Sequence, residues 1–308
     1  MRGTVIKSTG SWYKVVADNN QVYDCRIKGK LRLDDTKSTN PIAVGDHVEF
    51  VPDAETQGVI AEILERKNYI IRKASNLSKQ SHILAANIDR AYLVVTLHSP
   101  QTLLSFIDRF LVTTEAYEIP CTIVVNKSDL YTSSSDVELL QEWIDIYTLA
   151  GYELILVSAQ TGYNIDTLRN QMKDSVNVLA GNSGVGKSSL IQAIDSNITV
   201  AIQEISKSHN KGQHTTTFAE MYHMQFGGYI IDTPGVKAFG LHDCTKEELA
   251  HYFPEIFASS HKCQFYNCTH IHEPNCSVIQ DVQDGLIAIS RYENYVAMFF
   301  DENSKHRK

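Results

Sequence analysis

The chain has 308 residues, with 28 Lys and Arg against 36 Asp and Glu, a net charge of −8 and a hydrophobic fraction of 43%. That length predicts two or three domains around a sizeable core, which excludes a peptide hormone or a disulfide knot, and the composition excludes wholesale disorder. The longest apolar runs, residues 91–95 and 295–300, fall far short of the roughly 18 residues that cross a bilayer. No apolar signal core follows Met1, so a cytoplasmic protein without a membrane partner is expected. The charge is unevenly spread: residues 1–80 carry 13 basic and 10 acidic side chains, and residues 81–308 carry 15 and 26. A polyanion-binding surface is therefore expected near the N-terminus.

The first 70 residues read as five short β runs, 4–8, 12–17, 21–27, 46–51 and 59–64, separated by breakers such as Asp18-Asn19-Asn20 and Asn40-Pro41. Five short strands with no helical periodicity between them predict a small barrel of the OB or SH3-like type. Arg26, Lys28, Lys30 and Arg32 fall within seven positions and would track phosphates along one strand or loop. A solvated edge that discourages strand pairing accounts for them equally.

From residue 81 the rhythm changes. Apolar runs at 91–96, 122–125, 154–157, 176–179 and 229–231 alternate with helical spacing over 103–115, 136–150, 165–172 and 187–195. Strands apolar on both faces belong to a sheet covered on both sides, so an α/β domain with a doubly wound, mostly parallel sheet is predicted. After Gly240 the strand signal stops, and helical stretches at 246–253 and 276–292 flank a cysteine-rich loop. The expected domains are thus 1–72, 73–240 and 241–308, the last a small helical module.

Gly181-Asn182-Ser183-Gly184-Val185-Gly186-Lys187-Ser188 meets the G-x-x-x-x-G-K-[ST] pattern directly after an apolar strand. Glycines let backbone N–H groups and the following helix N-terminus face phosphate oxygens. Lys187 should contact the β- and γ-phosphates and Ser188 should ligate Mg²⁺, with Ser189 beside them in the nucleotide-binding set. A phosphate loop does not select a base, but Asn126-Lys127-Ser128-Asp129 at the end of the strand 122–125 does. The Asp129 carboxylate can accept from both N1–H and the N2 amine of guanine, a donor pair that adenine lacks. Lys127 would lie along the base plane and Asn126 would tie this loop to the phosphate loop. Ser158-Ala159 ends the next strand, where a backbone N–H can meet the guanine O6.

Asp232-Thr233-Pro234-Gly235 places a carboxylate where it approaches Mg²⁺ through water, and Gly235 can offer its N–H to the γ-phosphate. The polar segment Gly212-Gln213-His214-Thr215-Thr216-Thr217 suits a switch, with Thr216 completing the Mg²⁺ coordination. Val236 occupies the position where many GTPases carry a water-orienting glutamine, so slow intrinsic turnover is expected. His214 and His242 are the candidates to replace that glutamine. In the last module, Cys263, Cys268, Cys276 and either His270 or His272 offer three thiolates and an imidazole, a donor set for structural, tetrahedral Zn²⁺.

The order of these motifs is permuted. Ordinary regulatory GTPases run phosphate loop, switch threonine, D-x-x-G, N-K-x-D and S-A, whereas this chain begins with the last two. With the barrel, G-Q-H-T-T-T, D-T-P-G and the terminal Cys/His cluster, it resembles the circularly permuted GTPases of bacterial small ribosomal subunit biogenesis, the RsgA type, over nearly its whole length. The resemblance implies an OB barrel, GTP hydrolysis to GDP stimulated by the small subunit, and one zinc held with His270 as the imidazole. It also implies engagement of the immature 30S subunit and its 16S rRNA during late maturation. A monomer that does not bind DNA is expected.

Overall fold

The computed structural model describes residues 1–9, 11–27, 41–72, 82–198, 219–232 and 244–301. The chain opens with β1 (Arg2–Ser8), β2 (Tyr13–Ala17), β3 (Val22–Ile27), β4 (His47–Ala54), β5 (Gln57–Ile63), β6 (Tyr69–Arg72) and β7 (His82–Ala86). Next come β8 (Arg90–Val95), α1 (Leu104–Ala116), β9 (Cys121–Val125), α2 (Ser134–Leu149), β10 (Glu153–Leu156) and α3 (Ile165–Met172). After β11 (Val176–Ala180), α4 (Lys187–Ile194), β12 (Glu220–His223) and β13 (Tyr229–Asp232), the C-terminal part adds α5 (Pro254–Ser260), α6 (Ser277–Gln283) and α7 (Ile289–Phe300). These elements form two compact units, one from Met1–Ala91, Ile165–Ala180 and the described residues from Lys187 to Asp232, the other from Tyr92–Asn164, Gly181–Gly186 and residues 244–301.

In the first unit, β1 to β5 pair in the order β1-β2-β3-β5-β4, and β1 also pairs with β4, closing a five-stranded barrel. The parallel β3–β5 pair makes this OB connectivity. Alternation drives it: on β2, Tyr13, Val15 and Ala17 point into the core while Lys14 faces water. Phe50, Val48, Ile60 and Cys25 complete that core. Asp46, fully buried, takes the Ala43 N–H at 2.8 Å and a bidentate Arg66 guanidinium at 2.6 and 2.7 Å, pinning the turn into β4.

Two features here are not apparent from the sequence pattern. The antiparallel β6–β7 hairpin is built of runs too short for periodicity to register. β12, four residues of sequence EMYH, carries no apolar run. It nonetheless pairs antiparallel with both β13 and β1, and a salt bridge of 3.0 Å joins Lys7 to Glu220 where β1 and β12 meet. β13 in turn runs parallel to β11, so the barrel strands, β12, β13 and β11 share one hydrogen-bonded order.

In the second unit β10, β9 and β8 are successive neighbours, with β10 parallel to β9 in the register Leu156↔Val125. The C-terminal ends of β9 and β10 are therefore level, and the loops that follow them emerge side by side. α2 starts at a capping box in which the Ser133 side chain and Asp136 satisfy each other's backbone N–H groups. The helix expected over 276–292 is two helices, because Asp284 ends α6 and Gly285 takes φ +75°. The helix expected over 246–253 contracts to a 3₁₀ turn at Leu249–Tyr252, since Pro254 forces Phe253 into extended backbone. Leu249, Phe253, Ile256, Val278 and Tyr295 pack with Val112 of α1 as the core of this C-terminal part. Among the described residues no helix is long and apolar enough to cross a membrane.

Candidate active site and metal centre

The Gly181–Gly186 loop joins the end of β11 to the first residue of α4, the strand, loop and helix arrangement that phosphate binding requires. Its glycines are fixed by geometry as well as by chemistry. Gly181 has φ +143° and a Cβ there would stand 2.2 Å from the Val94 carbonyl oxygen. At Gly186, φ is +92° and a Cβ would meet Asn126 Nδ2 at 2.5 Å. Both values lie in backbone space that side chains rarely enter. Val185 is buried and anchors the loop. Asn182 and Lys187 are half-buried, whereas Ser183, Gly184, Ser188 and Ser189 face solvent.

The loop after β9 meets the phosphate loop directly. Asn126, buried, donates from Nδ2 to the Val185 carbonyl at 2.9 Å and accepts the Ala159 N–H on Oδ1 at 3.2 Å. One amide side chain thus links the phosphate loop to the Ser158-Ala159 turn. Lys127 adopts left-handed backbone, φ 66°, and its ammonium donates to the Gly184 carbonyl at 2.8 Å and the Ser99 carbonyl at 2.6 Å. Asp129 is exposed, with Oδ1 held by the buried Ser158 hydroxyl at 2.5 Å. Ser158 Oγ itself accepts the Thr161 N–H at 3.1 Å. A carboxylate oriented on one oxygen and open to solvent can accept paired donors from the edge of a purine.

The sequence reading missed Tyr131. Its buried hydroxyl donates to the Asn126 carbonyl and accepts the Leu97 N–H at 3.1 Å. Burial pushes the phenol up to about 12, partly opposed by the Leu97 bond, so it remains a protonated donor at any working pH. Leu97 opens a self-bonded loop. The Thr96 hydroxyl donates to the Pro100 carbonyl at 2.6 Å, and the Thr102 N–H returns to the Thr96 carbonyl at 3.1 Å. No sequence signal marks Tyr131, because its second partner, Leu97, lies 34 positions away.

Asp232 is the last residue of β13, opposite Glu220 in register. The segment Gly212–Thr217 with His214 and Thr216, Gly235 and Val236, His242, and the basic residues Lys28, Lys30 and Arg32 lie outside the described residues. Arg26 is described: it is exposed and stands 3.5 Å from Asp53.

In the C-terminal part Cys263, Cys268, His270 and Cys276 converge, their ligand atoms all within 4.8 Å of one another. His270 Nδ1 lies 3.6 Å from Cys263 Sγ and 3.5 Å from Cys276 Sγ, and those two sulfurs are 3.9 Å apart. A tetrahedron with Zn–S of about 2.3 Å and Zn–N of about 2.05 Å has edges of about 3.8 and 3.5 Å, so the donor set fits a zinc ion. All six cysteines are free thiols. His272 is exposed and stands outside the cluster. Burial lowers the His270 pKa, with Glu273 acting the other way, which favours the neutral, metal-binding imidazole. Glu273 orders the ligand loop. Although partial burial opposes it, bonds from the hydroxyl and N–H of Thr269 and the N–H of Ile271 pull its carboxyl down to about 2.

A second buried cluster had no counterpart in the sequence reading. Arg291 of α7, fully buried, donates to Asp108 of α1 at 2.8 Å and bidentately to Glu255 of α5 at 2.7 and 3.1 Å. Its guanidinium lies 4.7 Å from the Phe253 ring centroid. Asn294 and the Tyr147 hydroxyl supply Asp108 with two further bonds, of 2.6 and 3.1 Å.

Comparison with known proteins agrees with this geometry. The RsgA N-terminal domain family model matches residues 2–60 and the RsgA GTPase model matches residues 63–242. The small ribosomal subunit biogenesis GTPase RsgA of Bacteroides fragilis (strain YCH46) is 51% identical over 308 residues, covering 100% of this chain and 99% of that one. The protein of the same name from Christiangramia forsetii is 49% identical, covering 100% and 98%. Among solved structures, YjeQ from Thermotoga maritima superposes with a TM-score of 0.79 at 37% identity over 97% of both chains. YloQ, described as a circularly permuted GTPase, superposes at 0.78 and 28% identity over 100% of this chain and 96% of its own. The matched families, the permuted motif order and the contacts between the 126–129 and 181–186 loops agree: the chain belongs to the RsgA family of circularly permuted GTPases, whose reaction is the hydrolysis of GTP.

Proposed function

We propose that the chain binds GTP through Gly181–Gly186, Lys187, Ser188, Ser189, Asn126–Asp129 and Ser158-Ala159, and hydrolyses it while engaged on the immature small ribosomal subunit. The observation that carries the nucleotide reading is the pair of bonds from Asn126 and Lys127 to the phosphate-loop carbonyls of Val185 and Gly184. They bring together motifs that lie 57 or more positions apart in a permuted order. Asp129 selects guanine, and Lys187 faces the β- and γ-phosphates. Ser188 and Thr216 would hold Mg²⁺ and Asp232 would approach it through water; the ion neutralises phosphate charge when bound. Gly235 offers its N–H to the γ-phosphate, and His214 or His242 positions the attacking water in place of the glutamine that Val236 replaces. Cys263, Cys268, His270 and Cys276 would hold one structural zinc.

The names of the relatives support the small-subunit partner. On this reading the domains are an RNA-binding OB barrel at 1–72, the GTPase at 73–240 and the zinc-binding module at 241–308. The protein acts as a cytoplasmic monomer on 16S rRNA. With a net charge of −8, rRNA contact must come from local basic patches such as Arg26, Lys28, Lys30 and Arg32. Co-sedimentation with purified 30S subunits tests the assignment. Association should be tighter with a non-hydrolysable GTP analogue than with GDP, and should weaken as salt rises. Negligible sedimentation in both nucleotide states removes the ribosomal role. If replacing His214 and His242 together leaves 30S-stimulated hydrolysis unchanged, neither positions the water.

A further inference from the structure

We propose that Tyr131 is a positioning residue for guanine-nucleotide binding, acting through Lys127: its hydroxyl ties the Asn126–Lys127 peptide to the loop that presents the Ser99 carbonyl. The inference rests on reading Asn126–Asp129 as the base loop and adds a residue outside that motif.

Lys127 holds an unfavourable backbone conformation, φ 66°, which for a residue with a Cβ persists only where its surroundings fix it. The Tyr131 hydroxyl fixes the peptide just before it by binding the Asn126 carbonyl, while the Asn126 N–H is held by the Val95 carbonyl at 2.9 Å. The same hydroxyl takes the Leu97 N–H, so one atom links the base loop to residues 96–102. That loop sets the Ser99 carbonyl 2.6 Å from the Lys127 ammonium, beside the Gly184 carbonyl at 2.8 Å. Pro100 packs against the same glycine, 3.3 Å from where its Cβ would stand. Lys127 therefore bridges two loops whose spacing Tyr131 sets. Asn126 and Leu97 are buried, so without the phenol oxygen both backbone groups lose a partner that water cannot replace.

The test is Tyr131→Phe, which keeps the ring. GDP and GTP dissociation constants should both rise about tenfold, leaving their ratio unchanged, with KM raised by the same factor and kcat within about twofold. A double-mutant cycle with Lys127→Met then asks whether Tyr131 acts through Lys127: adding Y131F to K127M should cost less than twofold more. Unchanged nucleotide affinity in Y131F, or full additivity with K127M, overturns the proposal. A fall in melting temperature without a KM shift also overturns it, since it assigns Tyr131 to packing alone. If Y131F does not fold, 4-aminophenylalanine at position 131, which keeps a donor at the same ring position, should hold GDP within about threefold of the parent protein, whereas 4-methylphenylalanine, which fills the same space without a donor, should lose about tenfold. Equal GDP affinity in these two variants would refute the role. Asp129→Asn separates this from the underlying reading, because an amide donates to the C2 carbonyl of xanthine and should exchange GTP preference for XTP preference. If D129N leaves base preference unaltered, the base-loop assignment itself fails.

Discussion

Gly186 shows how tightly single residues are constrained at the nucleotide loop. Alanine there would add a methyl 2.5 Å from Asn126 Nδ2 in a backbone conformation with φ +92°, which costs a residue with a Cβ about 1–2 kcal/mol before the clash is counted. Asn126 must then move, and its bond to Val185 with it, so Gly186→Ala should weaken GDP binding by at least about tenfold in a fluorescent-nucleotide titration. Affinity equal to the parent's would mean the loop relaxes without cost. Glu273 makes a second prediction, one that depends on pH. Its folded pKa of about 2 lies below the ordinary value of about 4.3, so its stabilisation is complete above pH 4.3 and fades as the pH falls towards 2. Allowing for solvent screening, that amounts to about 1–2 kcal/mol. Glu273→Gln should therefore be less stable than the parent by that amount at pH 6, with the gap closing between pH 4 and 2 in urea titrations. A gap that persists at pH 2 would show that the carboxylate charge is not what stabilises the loop.

Between elements, the dominant polar contact is Arg291, which joins α7 to α1 through Asp108 and to α5 through Glu255 with no exposure to solvent. Removing one partner of such a buried network leaves the others as uncompensated charges, at about 3–5 kcal/mol. Arg291→Met should cost that much in chemical denaturation. Adding Asp108→Asn should recover part of the loss by removing one of the two stranded carboxylates. A loss below 1 kcal/mol would show that water reaches the site. This network also marks where the sequence stopped being readable. The strands of the barrel and of the α/β domain were legible because alternation and apolar runs are local signals, and the phosphate and base motifs because their chemistry needs fixed residues at fixed spacing. Arg291, Asp108 and Glu255 carry no such spacing; they are ordinary helix-surface residues until the fold brings together positions up to 183 apart. β12 escaped for a related reason, its pairing with β1 depending on a partner 213 positions away.

For the whole molecule, the permuted order of motifs means that the chain runs from D-T-P-G into the part that carries the Cys/His cluster, while α1, which follows the loop contacting Lys127, is the helix on which that part packs. Val112 lies in the same core as Leu249, Phe253, Ile256 and Tyr295. Asp108, one turn earlier, takes the Arg291 guanidinium. The three cysteines and His270 sit among these apolar residues, so on the proposed reading a zinc ion held there would brace a core that buries little apolar surface. Chelation should then do more than empty a metal site. Hydrogen exchange should quicken across residues 249–300 and also across α1, because the helix loses both its apolar cover and its buried ion pair, while barrel strands β1–β5 keep their protection. Zinc returned in stoichiometric amount should restore the original pattern. Faster exchange confined to residues 249–300, with α1 unaffected, would show that the C-terminal part melts as an independent unit and that its packing on α1 carries no cooperativity.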